Sequence, residues 1–253
     1  MHDKITSNES NASLLPWLTL GTLLALGFII AAFILGQSAK QVATSRESIT
    51  VKGTAERAVK ADKALWSIRV TAYASSVADA LPQLQQQVSQ VKSQLLASKM
   101  LTPAQLQQYD WTTEPVYQRT EGYESQIVGY TLSQRLGAVL TDVTVPEKLN
   151  NLLNQMIIKG LNVERNETQY LVSNIEDIKL SLIAAATKNA HDRALEFAKS
   201  GDVKVGTMRS ASQGVFQINA PLSTGSDEYG GEYNTSTIDK VARVVVTVNY
   251  GIQ

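Results

Sequence analysis

Residues 65–72, Leu65-Trp66-Ser67-Ile68-Arg69-Val70-Thr71-Ala72, alternate between two chemical faces. Trp66, Ile68 and Val70 fall on one side, and Ser67, Arg69 and Thr71 on the other. That period of two is the pattern of a strand with one buried and one wet face. Such a strand needs an apolar layer against its buried side. The next segment offers one. Ser76 with Asp79 is a helix start signal, and Val77, Leu81, Leu84, Val88, Val91 and Leu95 recur at spacings of three and four. The other face is rich in glutamine, and the helix is expected to reach Ser98. Pro82 falls near its first turn, where a proline costs less than in mid-helix.

The same reading extends in both directions. Ile49-Thr50-Val51-Lys52 alternates before Gly53, and Lys60-Ala61-Asp62-Lys63 reads as a turn joining this strand to residues 65–72 in a hairpin. Tyr109 to Arg119 and Ile127 to Leu140 read as two more strands joined by Thr120–Ser125. Thr144-Val145-Pro146-Glu147 opens a short helix with a capping box and a first-turn proline. That helix carries Leu149, Leu152, Leu153, Met156 and Ile157 and stops at Gly160. Val163 to Val172 reads as one strand. Ser173 with Glu176 caps a helix whose apolar face includes Ile178, Leu182, Ala190, Ala194 and Phe197, ending at Gly201. Val203 to Ile218 is a strand, Asn219 to Thr237 a Gly- and Ser-rich loop, and Val241 to Ile252 the last strand. The order β-β-α-β-β-α-β-α-β-β predicts an α+β domain, mostly antiparallel, with helices packed on one face.

Composition excludes several functions. The 253 residues contain no cysteine, two histidines, 23 Lys+Arg and 23 Asp+Glu. Disulfides, thiolate metal sites and cysteine nucleophiles are ruled out. A neutral balance argues against nucleic acid as a partner, because phosphates demand concentrated cations.

The run Leu14 to Gly36, LLPWLTLGTLLALGFIIAAFILG, has no charge. As a helix rising 1.5 Å per residue it would span roughly 33 Å, about the hydrocarbon thickness of a bilayer. Trp17 suits the interface. The run is longer than a signal-peptide core and lacks a basic leader, so it is read as a retained anchor in the lipid bilayer. The organisation is thus a polar leader (1–13), a transmembrane anchor (14–36), a linker (37–48) and one α+β domain (49–253). Gly21 with Ala25 and Gly27 with Ala31 have small-xxx-small spacing, which permits close approach of two helices. Lys4 precedes the run, whereas Lys40, Arg46, Lys52, Arg57 and Lys60 follow it. By charge alone the domain would lie in the cytoplasm.

Five segments together resemble the SIMPL-domain family of bacterial envelope proteins. They are Val51-Lys52-Gly53-Thr54-Ala55 with Asp62-Lys63-Ala64, Gly129-Tyr130-Thr131, and Lys159-Gly160-Leu161-Asn162-Val163. The alanine-rich helix 184–198 with Gly201 and Val205-Gly206, and the strand 242–250, complete the set. The resemblance implies a domain on the periplasmic side of the inner membrane, against the charge count. It also implies homo-oligomers of ring or cage form in some members, a link to stress defence in others, and no catalytic residues.

The residues themselves offer no catalytic constellation. His191 and Asp192 are adjacent on a predicted helix and cannot face each other. No nucleophile elbow, phosphate loop or dinucleotide fingerprint is present. Asp227, Glu228 and Glu232 make a solvated acidic loop more readily than a calcium site. No enzyme, cofactor or metal is expected. Tyr109, Trp111, Tyr117 and Tyr130 divide between strand packing and interface roles, whereas Tyr123, Tyr229 and Tyr233, in polar loops, are the interface candidates. The expected function is self-association of a membrane-anchored envelope protein. The alternative is a ligand- or protein-binding module built on loop 219–237.

Overall fold

The computed structural model describes the backbone of residues 15–44, 47–118, 126–223, 231 and 233–252. Helix α1 spans Leu15–Thr44, β1 Ser48–Lys60, β2 Lys63–Ala74 and α2 Val77–Ala97. Then follow β3 Gln107–Gln118, β4 Gln126–Leu140, α3 Val145–Ile158, β5 Val163–Arg165, β6 Gln169–Leu171, α4 Ile175–Ser200, β7 Val205–Asn219 and β8 Asp239–Ile252. The chain is an α+β protein with two sheets. One has the order β3-β4-β2-β5, with β6 also on β2; the other has the order β1-β8-β7.

The chain divides into two compact units, one of residues 54–189 and 213–246, the other of 1–53, 190–212 and 247–253. The first unit is built on β2. Ala64, Trp66, Ile68, Val70 and Ala72 are all buried beneath α2 and α3, in the alternation the sequence shows. Leu84, Val88, Val91 and Leu95 of α2 and Leu149, Leu153 and Met156 of α3 complete this core. Ser76 caps α2 as expected: its Oγ accepts from the Asp79 N–H at 3.2 Å. The capping box at Thr144 is not formed, because the Thr144 hydroxyl and N–H both donate to Asp142. The indole N–H of Trp66 donates to Asn150 Oδ1 at 3.1 Å and fixes α3 over the sheet.

The expected hairpin of the first two strands does not exist. β1 and β2 belong to different sheets, and the residues between them divide their hydrogen bonds accordingly. Ala61 N–H donates to Ile238 O beside β8, whereas Asp62 N–H donates to Leu171 O of β6. The chain therefore passes from one sheet to the other where a tight turn was expected. The single strand expected over 163–172 is two three-residue strands, interrupted at Asn166–Thr168.

In the second unit, Ala190, Ala194 and Ala198 form a buried stripe at four-residue spacing on α4. Arg193 reaches from α4 to the Lys52 carbonyl of β1 at 2.9 Å, and the His191 ring meets Tyr250 of β8 with centroids 5.4 Å apart. His191 is a surface residue packed on an aromatic ring. α1 continues to Thr44, through most of the stretch read as a linker. Its side chains are described from residue 20 to 36, and there Gly21, Ala25, Gly27, Ala31 and the large apolar groups are all exposed. The side chain of Trp17 lies outside the described residues. Among the described residues no helix is long and apolar enough to cross a membrane.

Candidate functional site: the open face and edge of the five-stranded sheet

Strand alternation places Leu65, Ser67, Arg69, Thr71 and Tyr73 on the face of β2 turned away from the helices. The register then sets their neighbours in rows across the sheet. In one row Arg135 of β4 stands opposite Arg69, and Arg69 opposite Glu164 of β5. In the next row Gly137 stands between Ser67 and Gln107 of β3. Beyond Ser67 lies Asn166, whose N–H donates to the Ser67 carbonyl at 3.2 Å and whose Nδ2 donates to Ser67 Oγ at 2.9 Å. A third row joins Val139, Leu65 and Gln169.

The middle row is hollow because its centre is glycine and serine. A Cβ at Gly137 would stand 3.3 Å from the Trp66 carbonyl and 3.4 Å from the Tyr109 ring. The ring reaches that place because β3 bulges. Its pairing with β4 shifts between Gln108 and Trp111, and Gln134 Nε2 donates to the Tyr109 carbonyl at 2.7 Å. The displaced Tyr109 carries the Arg135 guanidinium on its ring at 4.0 Å and donates its hydroxyl to Gln107 Oε1 at 3.0 Å. The result is a groove of about 410 Å³, with Arg135 and Arg69 along one side and Gln107 and Asn166 at its ends. Glu167 also lines it, and Arg69 is in loose contact with Glu164 at 3.8 Å.

The edges differ: β7, one edge of the three-stranded sheet, is exposed over residues 207–214, and its other edge, β1, is partly covered. α4 provides that cover: Asn189 Oδ1 accepts from the Thr54 N–H at 3.1 Å, and Arg193 takes the Lys52 carbonyl. β3 is the edge of the five-stranded sheet, and eleven of its twelve residues are exposed. Trp111 is 42% and Tyr117 56% exposed. These two aromatics are therefore not packed as core.

Of the interface candidates, Tyr123 and Tyr229 lie outside the described residues. Tyr233 is half-buried; its hydroxyl accepts from the Val172 N–H at 2.8 Å, and its backbone bridges Ile218. Beside it Lys240 is fully buried and donates from Nζ to Asn234 O at 2.5 Å. Burial pushes the Lys240 ammonium below its usual range. The described part of loop 219–237 is thus fastened to the scaffold. The acidic cluster Asp227, Glu228 and Glu232 lies outside the described residues, and among those described no group of three metal-ligating side chains assembles.

Asp62, at the crossing between sheets, is bonded to the start of α4. Its Oδ1 accepts from the Ser173 N–H at 2.7 Å, and its Oδ2 from the Ser173 hydroxyl. The hydroxyl bond is the largest of the effects that hold the Asp62 carboxyl below the usual carboxylate range. Ser173 therefore serves Asp62.

No curated protein matches the chain. The crystal structure of an uncharacterized conserved protein from Listeria innocua is similar over 76% of this chain and 91% of its own, at 12% identity and a TM-score of 0.20. The model of the SIMPL family, described as a protein of unknown function (DUF541), matches residues 49–249, with Asp62, Gly129 and Gly160 inside the match. The chain belongs to the SIMPL family.

Proposed function

We propose that this is a non-enzymatic, membrane-anchored protein of the bacterial envelope that self-associates through the β3 edge. The observation that carries it is the pair of exposed aromatics on the β3 edge, set against the partly covered β1. α4 covers part of β1 with two side-chain hydrogen bonds, whereas β3 offers twelve residues with Trp111 and Tyr117 exposed. An uncovered edge is a template for strand pairing between copies. Tyr and Trp add apolar area with a polar handle. The helical course of α1 and its uncharged stretch 15–36 support the anchor, with the bilayer as partner; the periplasmic side rests on family resemblance. Ring or cage geometry and a part in stress defence rest on family resemblance.

Light scattering of the detergent-solubilised full chain tests the reading. A discrete species of several copies is expected, and Trp111→Lys with Tyr117→Lys should reduce it to the monomer. A monomeric wild type, or a double variant that still assembles, overturns the β3 reading. Assembly lost only in Gly21→Leu or Gly27→Leu transfers the role to α1. The binding-module alternative is tested by Tyr229→Ala, since deleting 219–237 would also remove the Tyr233 and Asn234 bonds to the scaffold.

A further inference from the structure

We infer that the groove between Arg135 and Asn166 is a binding site for a small hydroxylated carboxylate of sugar-acid size. The first ground is charge placement. Arg69 and Arg135 are register partners on neighbouring strands and both line the groove, which therefore carries two cations. Glu164 answers Arg69 only at 3.8 Å, with both side chains more than half exposed, so it neutralises little. Among the described residues no carboxylate pairs with Arg135.

The second ground is preorganisation. The Arg135 guanidinium lies over the Tyr109 ring at 4.0 Å, and Tyr109 is held by Gln107 and Gln134. Stacking occupies one face of the plane and leaves the N–H edge free, the edge that forks a carboxylate. The third ground is space and polarity. Gly137 and Ser67 keep the middle row low, so that the Tyr109 ring lies against it and the groove remains open beside the ring, where Gln107, Asn166 and Gln169 present amide groups. Amides donate and accept, as hydroxyls require. Glu167, on the rim, accepts from a further hydroxyl and disfavours a polyanion.

Equilibrium dialysis of the detergent-solubilised full chain against labelled glucuronate, with glucose as the neutral match, tests the site. One glucuronate per chain is expected, with a Kd on the order of 1 mM or tighter, and at least tenfold weaker uptake of glucose. Arg135→Gln is expected to weaken glucuronate at least tenfold, and Gln107→Ala less. Arg209→Gln, an exposed arginine on β7, should change nothing. Near-ultraviolet circular dichroism of Arg135→Gln checks that the fold is intact. Absence of saturable uptake, equal uptake of glucose, or unchanged affinity in Arg135→Gln would overturn the site.

Discussion

Gly160 ends α3 with φ +89°, a conformation that side chains rarely adopt. Its N–H donates to Ile157 O, and the Leu161 N–H donates to Met156 O, closing the helix end. Gly160→Ala should destabilise the protein by about 1 kcal/mol, read from the denaturant midpoint. Gly129 has a different reason. A Cβ there would fall 2.5 Å from the Tyr73 hydroxyl, because the Tyr73 ring lies over it. Asp62 contributes through charge. Its folded-state pKa is depressed, so its contribution is present above the ordinary value of 3.8 and is lost as pH falls through the lower folded value. Asp62→Asn should flatten the acid limb of the stability curve below pH 3.8, with little slope lost near neutrality. Lys240 acts in the opposite sense. The unfolded chain holds its proton to a higher pH, so the stability of the wild type relative to Lys240→Met should rise as pH approaches 10.5. Chemical denaturation between pH 8 and 10.5 would reveal that slope.

Among the elements, α4 does two things at once. Its alanine stripe packs inward, while Asn189 and Arg193, four residues apart, cover part of the β1 edge. Asn189→Ala leaves the Thr54 N–H without its partner and should cost about 1–3 kcal/mol in a denaturant titration. It should also uncover more of the β1 edge, visible as concentration-dependent scattering. α2 is held by apolar area. Leu84→Ala removes a buried side chain from the main core and should cost about 2–5 kcal/mol. β3 has no such core contribution along its exposed length, so Trp111→Lys with Tyr117→Lys should leave the denaturant midpoint nearly unchanged while abolishing the proposed assembly.

At the level of the whole molecule, the thirty-residue helix α1 precedes a domain that buries its own core. The large apolar side chains of α1, such as Leu23 and Phe28, are exposed at 71% and 75%. Water penalises that surface, and the proposed bilayer anchor would relieve the penalty. The full chain should stay with phosphatidylcholine vesicles through an alkaline wash. The fraction that sediments with the vesicles decides it, and full release would remove the anchor.

The sequence alone determined the elements and their inner faces. Period two in 65–72 and spacings of three and four in 77–95 follow from local geometry, and the strand and helix expected there are β2 and α2. It also carried the family, through glycines and an aspartate whose spacing survives in one dimension. Pairing was decided elsewhere. β1 and β2 look like a hairpin because both alternate around a polar turn, yet their partners are β8 and β4, contributed by distant segments. The same holds for the groove. Arg69 and Arg135 are 66 positions apart, and only the register of β2 on β4 sets them face to face. Tyr109 reads as a strand aromatic, and only the bulge turns it toward Arg135. Alternation tells which side of a strand is wet; which strand lies beside it depends on long-range hydrogen bonds that local pattern does not encode.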